Sequence, residues 1–238
     1  MRIILRRERR RRNVMALQGR SLPLPHNTLV EHGALRHHTA RYSDRRILVT
    51  RDRYLASGIR HSPIPLCLCR IYEDINEALA TVNQTQPLCL IVDLEDCQQP
   101  VMSLLDQLRD VQHRNPELDI VLMASETDPV SYSFLQRVCR CRIVDKQIAL
   151  PGTRDVLLAP SLTPLLPQRL FKAKEWSVLL LMAKGHSLSH VARLQIRPYH
   201  RIIYRVGCIM TLLGLGHRQQ LLRVLQRVSA LRDRYHSG

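Results

Sequence analysis

The stretch from residue 171 to residue 222, FKAKEWSVLLLMAKGHSLSHVARLQIRPYHRIIYRVGCIMTLLGLGHRQQLL, decides the fold of the C-terminal part of this 238-residue chain. Its apolar residues recur at helical spacing, and Gly185 and Gly214 end two of the periodic runs as C-terminal caps. No strand-like run occurs in it, so an all-α unit of four helices is predicted. The expected helices are Lys174–Lys184, Ser187–Leu194, Tyr199–Leu213 and Gln219–Leu231.

The third of these helices has two unlike sides. One side is an apolar stripe at spacings of four, three and four residues, formed by Ile202, Val206, Ile209 and Leu213. A helix that also carries Arg on its other sides, behind a short preceding helix, suits the major groove, where Arg can bridge O6 and N7 of guanine. We expect a reading face centred on Arg201 and Arg205. The candidate DNA-binding residues are Lys184, Arg197, Tyr199, His200, Arg201, Tyr204, Arg205 and Arg218.

This segment resembles the LuxR/FixJ-type helix-turn-helix, whose pattern is roughly L-T-x-R-E-x-E-V-L-x-L-L-A-x-G, then S-x-x-x-I-A, then I-x-x-x-x-x-I-M-x-K-L-G-V. The matching residues are Glu175, Val178, Leu179, Leu181, Ala183, Gly185, Ser187, Val191, Ala192, Ile202, Ile209, Met210, Leu213, Gly214, Leu215 and Arg218. The resemblance implies a bacterial transcription regulator whose recognition helix runs from about Pro198 to Leu213. It also implies promoter DNA as a partner.

The resemblance further implies that the last helix, near Gln219–Leu231, is a dimerisation element. The protein would then act as a homodimer or as a heterodimer with another LuxR-type regulator. The segment departs from the pattern at Phe171-Lys172, at Trp176-Ser177 and at Arg201, and we expect these departures to affect only the detail of DNA binding.

The charge distribution favours the same function. The formal net charge is +16, and from Ser161 onward only Glu175 and Asp233 are acidic, against thirteen Arg and Lys. Such a surface attracts polyanions, and solvated helices normally mix both signs. Two alternatives stay open: a helical bundle that is merely solvated by Arg, and a general RNA-binding or nucleoid-binding protein that relies on the Arg-rich start of the chain.

The N-terminal half alternates short apolar runs with amphipathic segments. This alternation over residues 45–150 predicts βα units on a doubly wound parallel sheet and resembles the receiver domain of response regulators. Four prolines between Pro151 and Pro167 predict a linker at residues 151–168, ahead of the helix-turn-helix domain at 169–232. Residues 1–44 have little periodicity and are expected to form a basic, disordered arm.

A working receiver has a phosphoacceptor Asp after its third strand, an acidic pair after the first, a hydroxyl after the fourth and a Lys after the fifth. Asp93 and Lys146 suit two of these positions. Thr50, Arg51 and Met123 stand at the others, with only Asp52 near the position of the acidic pair. Arg51 would repel Mg²⁺ and could neutralise Asp93. We therefore expect a degenerate receiver with Asp93 paired to Lys146 and no control by phosphorylation. The alternative is a response regulator that is phosphorylated on Asp93.

Other chemistry finds little support in the sequence. There is no Gly-rich phosphate loop and no nucleophile elbow, so an enzyme with Asp93 as nucleophile is the rival rather than the expectation. The pairs Cys67/Cys69 and Cys139/Cys141 lack further ligands at zinc spacing and are expected to be small buried residues on strands, with no metal or cofactor. No run of eighteen apolar residues occurs, which predicts a cytoplasmic protein that associates with the nucleoid when bound to DNA.

Overall fold

A computed structural model of the chain describes residues 46–61, 69–125, 127–146 and 169–232. The predicted arm at 1–44 and the predicted linker at 151–168 lie outside these residues, as does Cys67. In the part of the chain that is described, no helix is long and apolar enough to cross a membrane.

The N-terminal half forms one parallel sheet of five strands in the order β2-β1-β3-β4-β5. The strands are β1 (Arg46–Val49), β2 (Arg70–Tyr72), β3 (Cys89–Asp93), β4 (Asp119–Met123) and β5 (Cys141–Val144). The helices between them are α1 (Arg53–Arg60), α2 (Ile75–Thr85), α3 (Val101–Arg114) and α4 (Pro129–Val138). The doubly wound, receiver-like fold that the alternation predicts is confirmed.

The apolar pattern explains the position of each strand. All five residues of β3 are buried, and Leu90 in it pairs with Ile47 of β1 on one side and Ile120 of β4 on the other. A continuous apolar run is typical of a central parallel strand that is covered on both faces. β2 is at one edge and includes the exposed Arg70.

Aspartates cap the N-termini of three of the four helices that pack on the sheet. The side chains of Asp52, Asp74 and Asp128 each accept hydrogen bonds from backbone N–H groups two or three residues further on. These caps satisfy donors that have no partner within the helix, and each such cap contributes about 1 kcal/mol. They also fix the points at which the chain turns from the carboxyl end of a strand into a helix.

The C-terminal part contains four helices, as the resemblance implies. They are α5 (Ala173–Ala183), α6 (Leu188–Leu194), α7 (Tyr199–Leu213) and α8 (Arg218–Ser229). Gly185 and Gly214 have φ of 84° and 67°, the left-handed conformation that favours glycine after a helix. Pro198 is the residue before α7 rather than part of its first turn.

The C-terminal helices pack on the side of the sheet that carries α3 and α4. Three buried aromatic residues join the two parts: the ring of Phe134 in α4 lies 5.3 Å from that of Phe171 and 6.3 Å from that of Trp176, between centroids. The indole Nε1 of Trp176 donates a 2.6 Å hydrogen bond to the carboxylate of Asp106 in α3. The expectation that Trp176 affects only the detail of DNA binding is wrong, because its side chain is 3% exposed and packs against the N-terminal half.

Arg109 of α3 adds polar contacts to this junction. Its guanidinium lies 5.8 Å from the Trp176 ring and donates hydrogen bonds to the carbonyl oxygens of Val138 and Phe171. The N–H of Phe171 donates in turn to the carbonyl of Arg137 at 2.8 Å. One hydrophobic core therefore runs from the sheet through α3 and α4 into the C-terminal helices. The division of the chain into domains at the linker stays a prediction.

The second cysteine pair is buried for a different reason from the one expected. Cys139 follows the last residue of α4 and Cys141 is the first residue of β5, so the two do not share a strand. Their side chains are 0% and 2% exposed. The described residues contain no group of three or more His, Cys, Asp or Glu that could hold a metal ion.

Candidate nucleic-acid interface

The stripe that attaches α7 to its neighbours is the one that the spacing predicts. Ile202, Val206, Ile209 and Leu213 are all buried, against α5 and α6 among other elements. The short helix α6 starts at Ser187, whose hydroxyl accepts a hydrogen bond from the N–H of His190. Packing of this stripe against α5 and α6 leaves the opposite side of α7 in solvent.

The exposed side of α7 follows from helix geometry. Successive residues are rotated by about 100°, so the positions opposite the buried stripe are His200, Tyr204, Gly207 and Thr211. All four are exposed, and Tyr204 most clearly at 73%. Ile203 borders this set on one side and is 43% exposed. Tyr199 is 49% exposed but lies nearer the buried stripe than the middle of this set. We call five residues, His200, Ile203, Tyr204, Gly207 and Thr211, the outer face of α7.

The centre of the outer face differs from the expected one. Arg201 is exposed, but Arg205 is only half-exposed and its Nη1 donates a 3.0 Å hydrogen bond to the side chain of Gln195. Gln195 donates to the hydroxyl of Ser177 in α5, also at 3.0 Å. The two arginines do share one line along α7, and that line lies about 110° away from the middle of the outer face. The most exposed side of α7 is thus centred on His200 and Tyr204, and a reading face centred on Arg201 and Arg205 stays a prediction.

Tyr204 combines an aromatic ring with a polar tip at the middle of the outer face. A hydrogen bond with the Cys208 thiol, one turn further along α7, raises the pKa of the Tyr204 phenol. The hydroxyl therefore stays protonated and neutral at physiological pH. It can donate to a phosphate oxygen or to an acceptor on a base edge.

The turn between α6 and α7 carries an unusual backbone conformation. Ile196 has φ of 50° and is 89% exposed, although a β-branched residue rarely adopts the left-handed region. The N–H groups of Ile196 and Arg197 donate to carbonyls at the end of α6, which closes the turn tightly. Arg197, one of the predicted DNA-binding residues, is exposed beside it.

The remaining predicted cations lie at the ends of neighbouring helices. Lys184 follows α5 and Arg218 begins α8, and both side chains are exposed. A groove of about 720 Å³ lies between α8 and the turn that joins α5 to α6, and its lining includes Arg218 and Tyr199. Two of the predicted DNA-binding residues thus meet at one groove next to the start of α7.

The C-terminal helices have almost no exposed negative charge. Glu175 is the one acidic residue between 169 and 232, and it is 5% exposed. Its carboxylate pairs with Arg169 at 2.6 Å and accepts from the N–H of Lys172 at 2.8 Å. The twelve Arg and Lys of the same range are thus opposed by one acid whose charge is already compensated. They are Arg169, Lys172, Lys174, Lys184, Arg193, Arg197, Arg201, Arg205, Arg218, Arg223, Arg227 and Arg232.

The helix predicted to mediate dimerisation already uses its apolar residues within the chain. The buried residues of α8 are Leu221, Val224, Leu225 and Val228, and they contact α5, α4 and α3 among other elements. Its outward side is mostly arginine and glutamine, with Leu222 as the large apolar residue that is exposed there, at 36%. Dimerisation through α8 stays a prediction.

At the carboxyl end of the sheet the structure brings the predicted pair together. Lys146 Nζ lies 2.8 Å from Asp93 Oδ2 and 3.2 Å from Asp52 Oδ2. The Thr50 hydroxyl donates to the same oxygen of Asp93 at 3.0 Å, and the N–H of Glu95 donates to its other oxygen at 3.2 Å. Asp93 is 0% exposed. The expected pairing of Asp93 with Lys146 is confirmed.

The charges in this cluster stabilise each other. Burial alone would lower the pKa of Lys146, but the Asp93 and Asp52 carboxylates outweigh it and hold that pKa above its usual value. For Asp52, burial acts to raise the pKa. Backbone hydrogen bonds at the start of α1 and the Lys146 ammonium outweigh burial and lower it. Asp52 and Lys146 are therefore both ionised at neutral pH.

Two expectations about this end of the sheet need correction. Arg51 is exposed, and Asp93 is neutralised by Lys146 instead. A hydroxyl does follow β4, at Ser125, two residues after the buried Met123. Both the N–H and the hydroxyl of Ser125 donate to Glu95, at 2.6 and 3.1 Å.

Comparisons with known proteins give one relative and several solved structures. No family model matches the chain. The protein described as "Fimbriae Y protein" from Salmonella typhimurium (strain LT2) is 28% identical over 182 residues, which are 76% of this chain and 75% of that protein. In fold, the chain is similar to the two-component response regulator RcsB in a complex with DNA, with 22% identity, a TM-score of 0.47, and coverage of 75% of this chain and 96% of that one.

A second solved structure is RcsB from Salmonella enterica serovar Typhimurium bound to the promoter rprA in the presence of a phosphomimetic. It is 21% identical, with a TM-score of 0.44, and the match covers 77% of this chain and 99% of that one. The order of the four helices between Ala173 and Ser229 agrees with the resemblance to LuxR-type regulators that the sequence indicates.

Sequence reasoning missed three contacts that shape these sites. Gln195 holds Arg205, Asp106 receives the Trp176 indole, and Asp52 shares Lys146 with Asp93. Asp52 could have been found, because an Asp directly before a predicted helix is a signal for a cap. The other two contacts join residues that are 10 and 70 positions apart, and no local pattern marks them.

Proposed function

We propose that this chain, which has the two-part architecture and helix order of LuxR-type helix-turn-helix regulators, is a bacterial DNA-binding transcription regulator. It binds duplex DNA with the outer face of α7 and with the cations around it. It is not an enzyme, and it works without phosphorylation of Asp93.

The observation that carries this proposal is the combination of shape and charge at α7. A helix with one buried stripe projects His200 and Tyr204 outward from a surface on which the single acid, Glu175, is buried and paired. A major groove lined by phosphates admits a helix of this kind, and the surrounding Arg and Lys supply the counter-charge. The relative named for fimbriae makes the promoters of fimbrial genes the first DNA to examine.

Independence from phosphorylation is supported by the contacts of Asp93. Its Oδ2 already binds Lys146 and Thr50, and the side chain has no exposure to solvent. Phosphoryl transfer to a carboxylate needs a divalent cation to neutralise the phosphoryl oxygens. Of the acidic residues that could hold one, Asp52 is bound to Lys146 and caps α1.

The test of DNA reading is a selection from a pool of randomised double-stranded DNA with the purified full-length protein. A reader of base sequence enriches a defined motif, whereas a general nucleic-acid binder enriches none. The double variant His200→Ala with Tyr204→Ala should lose the motif but keep salt-dependent binding to any duplex. As a matched control, Arg70→Ala on the exposed edge strand should enrich the wild-type motif. If wild-type protein enriches no motif, the proposal fails.

The state of assembly belongs to the proposal as well. The protein acts as a homodimer or beside a second LuxR-type regulator, as the resemblance implies. Leu222 is the residue of α8 that is free to contribute apolar contact, and Arg218 and Arg223 next to it would repel the same residues of a second copy. Sedimentation of the protein with the selected DNA, at low and high salt, distinguishes a homodimer from a monomer that needs a different partner.

A further inference from the structure

Gly207 stands in the middle of the outer face of α7, eight residues after the first residue of that helix. Glycine is among the least favourable residues inside a helix, where replacing Ala by Gly shifts the folding equilibrium roughly fivefold towards the unfolded chain. A glycine in such a position is normally explained by a backbone conformation or a close neighbour within the fold.

Neither explanation holds for Gly207. Its φ lies outside the left-handed range, and a Cβ built on it would meet no other atom within 4 Å. The fold itself therefore has room for a side chain at this position. Unlike a side chain at the equally open Gly58 of α1, a side chain at position 207 would project from the outer face, towards whatever approaches α7.

The neighbours of Gly207 along α7 border the open space above it. Ile203 and Tyr204, one turn earlier, are exposed and project beyond the helix backbone. One turn later, the hydroxyl of Thr211 turns back and donates a 3.0 Å hydrogen bond to the carbonyl of Gly207. Gly207 is thus the floor of a notch on the outer face, behind the two long side chains at its N-terminal end.

Helix dimensions indicate what enters the notch. Eight residues of α-helix advance about 12 Å, which is close to the width of the major groove. A recognition helix places its first turns against the bases. When His200 is at the floor of the groove, Gly207 reaches the wall that the sugar–phosphate backbone forms.

We propose that Gly207 is the point at which α7 passes the sugar–phosphate wall of the major groove, and that the missing side chain sets how deeply the first turns can enter. This inference rests on the proposed function of the chain as a DNA reader. Gly207 determines the distance between the helix and the duplex, while His200 and Tyr204 recognise the base sequence.

The test uses Gly207→Ala and Gly207→Val in the full-length protein, with Gly58→Ala as the matched control. Gly58 lies in α1, is exposed, and also has no atom within 4 Å of a built Cβ. Both Ala variants should raise the Tm by about 2–4 °C, since each replaces a helical glycine in open space. Fluorescence anisotropy on the selected DNA sequence measures the affinity.

We expect Gly207→Ala to weaken binding by roughly tenfold and Gly207→Val by roughly a hundredfold, because added atoms at a tight contact are poorly tolerated. The enriched motif should stay that of the wild type, whereas His200 and Tyr204 variants change it. Gly58→Ala should bind as the wild type does.

Wild-type affinity in Gly207→Ala, together with its raised Tm, would overturn the inference and leave the proposed function intact. A wild-type protein that selects no sequence would overturn both. A changed motif in Gly207→Ala would also overturn the inference, because it would place the residue against a base rather than against the groove wall.

Discussion

The indole Nε1 of Trp176 lies 2.6 Å from a carboxylate oxygen of Asp106, so that α5 is hydrogen-bonded to α3 across the junction between the sheet layer and the C-terminal helices. The same indole packs on Phe134 and Phe171. One side chain thus provides both apolar area and a directed polar contact between the two parts of the chain.

Trp176→Ala should reduce the free energy of unfolding by about 3–5 kcal/mol, the range for removing a large buried aromatic side chain. Trp176→Phe keeps most of the packing and removes the hydrogen bond, so a loss of about 1–2 kcal/mol is expected. Urea unfolding followed by circular dichroism measures both. Equal midpoints for wild type and Trp176→Ala would show that the junction contributes nothing to stability.

Asp128 makes two contacts of unequal value. It caps α4 through the N–H groups of Val130 and Ser131, and it lies 3.5 Å from Arg227 of α8. The ion pair is exposed, with side chains 31% and 58% accessible, so Arg227→Ala should change stability by less than about 0.5 kcal/mol. Asp128→Ala should cost about 1–2 kcal/mol because the cap is lost, and Asp128→Asn much less. A larger loss in Arg227→Ala than in Asp128→Ala would contradict this ranking.

The cluster around Lys146 predicts a dependence of stability on pH. The pKa of Asp52 in the folded protein lies below its usual 3.8, so its contribution is complete above that pH and is lost as the pH falls through the folded pKa. The pKa of Lys146 lies above 10.5, so its contribution is lost only as the pH rises beyond that value. Both contributions are therefore present throughout the neutral range.

Asp52→Asn tests how Asp52 contributes to stability at acid pH, because Asn keeps the cap of α1 and removes the charge. The difference in unfolding free energy between wild type and Asp52→Asn should be largest near neutral pH and should shrink below about pH 4. Urea titrations at several pH values measure it. A difference that stays constant down to about pH 2 would mean that Asp52 is not stabilised in its charged form.

Incubation with acetyl phosphate and Mg²⁺ should leave Asp93 unlabelled, because Thr50 and Arg51 replace the acidic pair that would hold Mg²⁺ and the nearby Asp52 is bound to Lys146. Intact-mass spectrometry detects an acyl phosphate, and Asp93→Asn identifies its position. The same variant should bind the selected DNA within about twofold of wild type, a factor well below the tenfold that 1.4 kcal/mol represents. Stable acid-labile labelling of Asp93 would instead support the response-regulator alternative.

Arg218→Ala should weaken binding to all duplexes alike and reduce the slope of log affinity against log salt by about 0.9, the change for one lost phosphate contact. Arg218 is exposed at the start of α8 and lines the groove beside Tyr199. Titrations at three salt concentrations, on the selected sequence and on a scrambled one, give the slopes. An unchanged slope would remove Arg218 from the interface.

The sequence predicts most elements because their apolar periodicity is local. The stripe from Ile202 to Leu213 and the buried run of β3 are read correctly, and Asp93 and Lys146 are paired because both follow strands whose carboxyl ends meet. The contact that holds Arg205 could not be predicted. Spacing shows that Arg201 and Arg205 share a line along α7, but it does not show that Arg205 donates a hydrogen bond to Gln195.

The aromatic junction could not be predicted either. Phe171 and Trp176 fit the apolar pattern of a helix in a self-contained bundle, and nothing local distinguishes burial within that bundle from burial against Phe134. The same holds for Arg109, whose partners Val138 and Phe171 are 29 and 62 positions away. Contacts between distant elements depend on how whole layers pack, which periodicity does not encode.

The shared aromatic junction limits how this protein can be recombined. If α5 to α8 were joined to another receiver-like domain, Phe171 and Trp176 would meet a surface without Phe134 and Asp106, and the hybrid would expose about two aromatic side chains, each 150–250 Å² of apolar surface. Loss of solubility is the expected result for such a chimera. Over evolutionary time, substitutions at 106, 134, 171 and 176 should accordingly occur together rather than singly.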